Sequence, residues 1–111
     1  MSDASLTLVK GTVDLLLLRT LALGPLHGVA IADRVLQMTR GTFHIKAGSL
    51  FPALHRLEHQ GWIKGAWTVS DDGRRVKSYA LTAAGRRQLD RETAEWRRVV
   101  DAMSLVLDAK G

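Results

Sequence analysis

Leu50, Leu54 and Leu57 recur at i, i+4 and i+7, drawing a single apolar stripe along one helix. Ser49, Pro52, Ala53, Arg56 and Gln60 fall on the opposite side, flanked by Phe51, His55 and His59. That outer face is made of small residues and hydrogen-bonding groups. Small residues let a helix approach a surface closely, and Ser, His, Arg and Gln donate to phosphate oxygens or base edges. Gly61 follows as a helix stop that tolerates left-handed dihedrals. The pattern predicts a recognition helix; the plainer alternative is an ordinary surface helix of a small α-rich domain.

Upstream, Met1 to Lys10 is polar and predicted to fray. From Gly11 to Leu23 the chain is apolar almost all round, with Thr12 as candidate cap. A one-sided core does not account for such a helix, so either it is central or its second face meets another subunit. Gly24-Pro25 ends it, and His27-Gly28 opens a second helix with Val29, Ala30, Ile31, Ala32, Val35, Leu36 and Met38 on its apolar side. Gly41 breaks that helix, and a short extended piece from Thr42 to Ile45 leads into the recognition stretch.

Downstream, the period changes to two. Trp62 to Val69 and Arg74 to Leu81 are rich in β-formers and flank Ser70-Asp71-Asp72-Gly73, a hairpin signal. Arg75, Lys77, Tyr79 and Leu81 share one face, apolar near Leu81 and basic near the tip. Across residues 64–79, four cations (Lys64, Arg74, Arg75, Lys77) stand against two carboxylates (Asp71, Asp72), a surplus of two. This predicts a DNA-binding wing, with a solvated hairpin as the plain alternative. Thr82 caps a last helix running from Ala83 to about Ala109. There Leu89, Trp96 and Met103 repeat every seven residues, with Val99, Val100, Val106 and Leu107 beside them and charged flanks around. A heptad seam ending a small chain predicts a homodimer, with Leu15, Leu16 and Leu18 of the first helix contributing. A two-fold dimer would place two recognition helices on successive turns of one DNA face, hence a palindromic site.

Length and charge narrow the partners. The 111 residues are enough for one domain with one core, expected to span 1–111, with a winged helix-turn-helix over 11–81 and a dimerisation helix over 82–109. No cysteine is present, which excludes disulfides, thiolate metal sites and a cysteine nucleophile. The start lacks a signal-peptide pattern, and the longest apolar run, Leu15 to Leu18, is far too short for a membrane span. A cytoplasmic protein with no membrane partner is expected. The net charge of +5 favours a polyanionic partner such as nucleic acid.

Enzymatic chemistry finds little to stand on. His55 and His59 at i, i+4 could chelate a metal, yet no HExxH pattern surrounds them. Ser49 has no evident base, orienter or oxyanion donor, and Asp71-Asp72 reads as a turn. No catalytic residue, metal site or cofactor is expected. Trp96 on the seam could stack a flat ligand between subunits; its plainer role is burial in the interface.

Three runs carry a family resemblance. Leu23-Gly24-Pro25-Leu26-His27-Gly28, then Gly48-Ser49-Leu50-Phe51-Pro52-Ala53-Leu54-His55-Arg56-Leu57, then Gly73 through Gly85 resemble the PadR family of bacterial transcriptional regulators, in order across about residues 11 to 107. The family usually has Tyr where this chain has Phe51, and frequently an aromatic where it has Val29. The match is close to the compact subgroup with a single C-terminal dimerisation helix. The resemblance implies a dimeric winged helix that binds double-stranded operator DNA, usually as a repressor, in some relatives with a small aromatic effector between subunits. The expected fold is therefore mainly α with a small β-hairpin, a winged helix-turn-helix plus a long C-terminal helix. Lys46, Ser49, Phe51, Pro52, Ala53, His55 and Arg56 would meet DNA from the recognition helix, and Arg74, Arg75 and Lys77 from the wing. The dimer would rest on Leu15, Leu16, Leu18, Leu89, Trp96, Val99, Val100, Met103, Val106 and Leu107. The competing class is a winged helix used only for protein contacts, which loss of charge at Arg74 and Arg75 would leave unaffected.

Overall fold

The computed structural model describes residues 11–110. The polar start predicted to fray, residues 1–10, lies outside the described residues. The order is α1 (Thr12–Ala22), β1 (Leu26–His27), α2 (Gly28–Met38), α3 (Ala47–His59), β2 (Ile63–Val69), β3 (Arg75–Leu81) and α4 (Ala83–Leu107). This is a mainly helical winged-helix architecture with a long C-terminal helix, as the sequence pattern predicts.

The apolar character of α1 reflects a central position. Its Leu17 and Leu18 are fully buried, and the helix packs against α2, α3, α4 and β3. Gly11, with φ 94°, takes the cap position expected of Thr12, so the helix starts one residue earlier than that reading. The buried Thr20 hydroxyl is satisfied by donating to the Leu16 carbonyl at 2.7 Å. From α2 come Ile31, Ala32 and Val35, and from α3 Leu50, Ala53, Leu54 and Leu57. Each fully buried Leu or Ile contributes about 1.5–3 kcal/mol of burial free energy, which makes this cluster the main stabilising feature.

Chain reversals come where left-handed residues allow them. After α2, Arg40 and Gly41 have φ 52° and 82°, and the Gly41 amide donates to the Leu36 carbonyl at 2.8 Å. After α3, Gly61 (φ 78°) lets the Trp62 amide donate to the Leu57 carbonyl at 3.0 Å, a Schellman closure. The wing leaves directly from that closure.

β2 and β3 pair antiparallel from Ile63↔Leu81 to Val69↔Arg75, and the Ser70 amide and Arg74 carbonyl close the tip at 2.8 Å. A third strand was not foreseen: β1 pairs with β3 through Leu26↔Tyr79 and His27↔Ser78, giving the order β1-β3-β2. Thr82 caps α4 as predicted, its hydroxyl accepting from the Gly85 amide at 3.0 Å and donating to the Gly61 carbonyl at 2.7 Å.

Candidate nucleic-acid interface

α3 turns two chemically distinct sides to its surroundings. Leu50, Ala53, Leu54 and Leu57 are between 0 and 2 % exposed. Lys46, Ser49, Phe51, Pro52, His55, Arg56, His59 and Gln60 are exposed. Ala53, expected on the outer face, is therefore part of the core. It lies three residues after Leu50 and four before Leu57, which places it on the same stripe. A methyl side chain carries too little polarity contrast to reveal that in the sequence. Pro52 sits inside the helix on the open side, where it removes the hydrogen bond to the Gly48 carbonyl.

Two of the outward groups are held by partners. Arg56 donates to the Asp14 carboxylate of α1 at 2.9 Å, with its side chain still 59 % exposed. Phe51 lies over Gly28, where an added Cβ would meet its ring at 3.0 Å, so half of this aromatic serves to seat α2 against α3. Ser49, His55 and Lys46 remain open to a partner surface.

The wing carries its basic groups in different states. Arg74 is 82 % exposed, with Asp72 at 3.6 Å. Arg75 stacks over Trp67, 5.0 Å from the ring centroid, which pre-orients its guanidinium while leaving its edge free. Lys77, expected to reach phosphate, is instead tied at 3.0 Å to Glu58 on α3 and lies 5.4 Å over the Tyr79 ring. Glu58 also accepts from the Gly65 amide at 3.2 Å. The Lys77 hydrogen bond is the main reason the Glu58 carboxyl is held below the ordinary value, and the same bond raises the Lys77 ammonium. At the tip, Ser70 hydrogen-bonds Asp72 and holds its carboxyl low, assisted by the Arg74 amide. Glu58 went unnoticed in the sequence because nothing local indicates that a helix carboxylate meets a strand 19 residues later.

Beyond the wing, α4 presents a bare apolar strip. Trp96, Val99, Val100, Met103, Val106 and Leu107 are between 42 and 76 % exposed. Leu105, which sequence reading passed over, is 77 % exposed on the same segment. Leu18 and Leu89, expected in a subunit contact, are instead 0 and 3 % exposed in the chain's own core, because α1 is central and the first turns of α4 pack on it. Leu15 and Leu16 are half-buried and line a cleft of about 550 Å³ with Arg19, Thr93, Trp96, Arg97, Val100 and Asp101. Glu58, bound to Lys77, lies beside His55 and His59, and among the described residues no group of three side chains is placed to hold a metal ion.

Compared with known proteins, residues 17–91 match the Transcriptional regulator PadR-like family. The chain belongs to that family. Transcriptional regulator Rv3488 of Mycobacterium tuberculosis is 33% identical over 88 residues, covering 78% of either chain. A PadR family transcription regulator from Clostridium difficile R20291 superposes with TM-score 0.75 at 30% identity, covering 87% of this chain and 99% of that one. A transcriptional regulator from Clostridium thermocellum gives TM-score 0.79 at 26% identity, covering 86% and 92%. The PadR family consists of transcriptional regulators, not enzymes, and this chain is one of them. The family match stops at residue 91, so the apolar strip of α4 lies past it. Among the described residues no helix is long and apolar enough to cross a membrane.

Proposed function

We propose that this PadR-family chain folds as one domain, with the winged helix-turn-helix over 11–81 and a dimerisation helix over 82–109, and binds a palindromic operator as a homodimer in the cytoplasm, acting as a repressor. The observation that carries the reading is the division of α3. Its apolar stripe is spent on the core, while Lys46, Ser49, Pro52, His55 and Arg56 are exposed, and the wing tip carries the exposed Arg74 and Arg75. Small and hydrogen-bonding groups on an exposed helix suit the major groove, and Arg74 and Arg75 suit the phosphates alongside. The bare strip from Trp96 to Leu107 is the apolar surface a second copy would cover. The cleft between α1 and α4 places Trp96 beside Leu15 and Leu16, a setting for a flat aromatic effector that would release DNA.

A salt series of gel shifts tests this, using DNA from upstream of the chain's own coding region against unrelated DNA. Selective binding that weakens steeply with salt is expected. In Arg74→Ala/Arg75→Ala the log–log salt slope should flatten by about 3.6, because the dimer loses four phosphate contacts, two per protomer, at ~0.9 each. Absence of binding to either DNA at low salt would instead favour a winged helix that contacts only proteins.

A further inference from the structure

The base of the wing is seated in the core through Ile63 and Tyr79, and its outer part is what a further tie to α3 would orient. At the root the Trp62 amide donates to the Leu57 carbonyl at 3.0 Å beside the left-handed Gly61, and the Thr82 hydroxyl and amide hold the Gly61 and Trp62 carbonyls. A second tie stands higher up. Glu58, in the last turn of α3, receives the Gly65 amide of β2 at 3.2 Å through one oxygen. Through the other it receives the Lys77 ammonium of β3 at 3.0 Å. Both wing strands are thus fastened to one helix carboxylate. Gly65 makes room for it: a Cβ there would meet the Lys77 side chain and come within 2.9 Å of the Glu58 oxygen. The two side chains are only 28 and 32 % exposed, so the bridge is partly shielded from water and salt. Its charges cancel locally. Of the other cations of the wing, Lys64 is exposed near the start of β2, Arg74 lies at the tip with Asp72 at 3.6 Å, and Arg75 stacks on Trp67.

We propose that Glu58 is a positioning residue for DNA recognition: by clamping Gly65 and Lys77 it sets the angle between α3 and the wing, and it withdraws Lys77 from the phosphate contacts. This rests on the DNA-binding reading above. A helix in one groove and a wing tip on the neighbouring backbone must engage together, and a rigid angle between them is ordering that need not be supplied at binding.

The test uses the full chain and a duplex enriched from a random-sequence pool by the wild-type protein. Wild type, Glu58→Gln and Lys77→Met are titrated at several salt concentrations, with circular dichroism melts confirming that each is folded at the assay temperature. Removing a carboxylate near a polyanion raises affinity through bulk electrostatics alone. A positioning role gives the opposite sign, and Glu58→Gln should bind about five- to tenfold more weakly, within the range of coupled contacts. Lys77→Met should weaken binding to a similar degree at every salt concentration, with the slope of wild type. Unchanged or tighter binding by Glu58→Gln would overturn the positioning role. A slope lowered by about 1.8 in Lys77→Met, one phosphate per protomer of the dimer at ~0.9 each, would make Lys77 a phosphate ligand and overturn its withdrawal. Failure of the wild type to enrich any duplex would overturn the DNA-binding reading itself, and the inference with it.

Discussion

Gly85 is a helix residue that cannot be improved by alanine. Alanine in place of glycine in a helix interior ordinarily stabilises by about 1 kcal/mol. Here a Cβ would collide with the backbone carbonyl of Trp62 and come within 2.8 Å of Leu81. The Trp62 carbonyl is itself held, because it accepts from the Thr82 amide at 3.0 Å. Backbone pinned at both ends cannot retreat as a flexible side chain would, so the overpacking cost belongs near the upper end of its usual range, about 3 kcal/mol. The net effect of Gly85→Ala is a loss of about 2 kcal/mol. At roughly 4 °C per kcal/mol for a chain of this size, the melting temperature should fall by about 8 °C. Thermal unfolding followed by circular dichroism, at one fixed protomer concentration, measures it; association would otherwise move the midpoint. A midpoint equal to or above that of wild type would show that α4 is not seated on the Gly61–Trp62 turn as described.

Other consequences follow from the same geometry. Val100→Glu/Met103→Glu places two carboxylates on the bare strip of α4, where these residues are 42 and 57 % exposed; light scattering at micromolar concentration should give a dimer for wild type and a monomer for the variant, with little change in helix content. A planar aromatic dye should quench tryptophan fluorescence in wild type, and Trp96→Ala should abolish the quenching; quenching that persists would move the ligand out of the α1–α4 cleft. Glu58 titrates below its ordinary value of 4.5 in the folded chain, chiefly through Lys77. Its contribution to stability is therefore present above that value and lost as pH falls through the lower folded value, so urea midpoints of wild type and Glu58→Gln should converge on acidification. The Lys77 ammonium is raised above 10.5, so its share of the same pair is complete below that value and lost as pH climbs past the folded one.

Features set by neighbouring residues were legible in the sequence. The stripe of Leu50, Leu54 and Leu57, the Asp72-Gly73 turn and the Thr82 cap depend on spacings of a few residues, and each stands where the pattern puts it. Features set by distant packing were not. Leu18 and Leu89 look like seam residues because periodicity records a face without saying which surface covers it, and here the covering surface is the same chain. Ala53 is silent in a polarity pattern, and β1 is only two residues long, too short to show an alternation. The fate of the basic residues was equally hidden. Lys77 and Arg75 are two positions apart on one strand, yet one is bound to Glu58 and the other stacks on Trp67, contacts that join residues far apart in the chain or on the neighbouring strand.

The most direct test of the central claim, that the outward face of α3 reads DNA, is a competition titration of Ser49→Ala/Arg56→Ala and wild type on an enriched duplex and on its scrambled counterpart at one salt concentration. Ser49 and the Arg56 guanidinium both lie outside the core, so the fold should survive their removal. The account predicts that the variant loses preference for the enriched duplex, by about 30-fold or more per half-site if each of the two contacts discriminates by 1–3 kcal/mol, while its binding to the scrambled duplex stays close to wild type. Selectivity retained after both side chains are removed would contradict the assignment of α3 as the recognition helix.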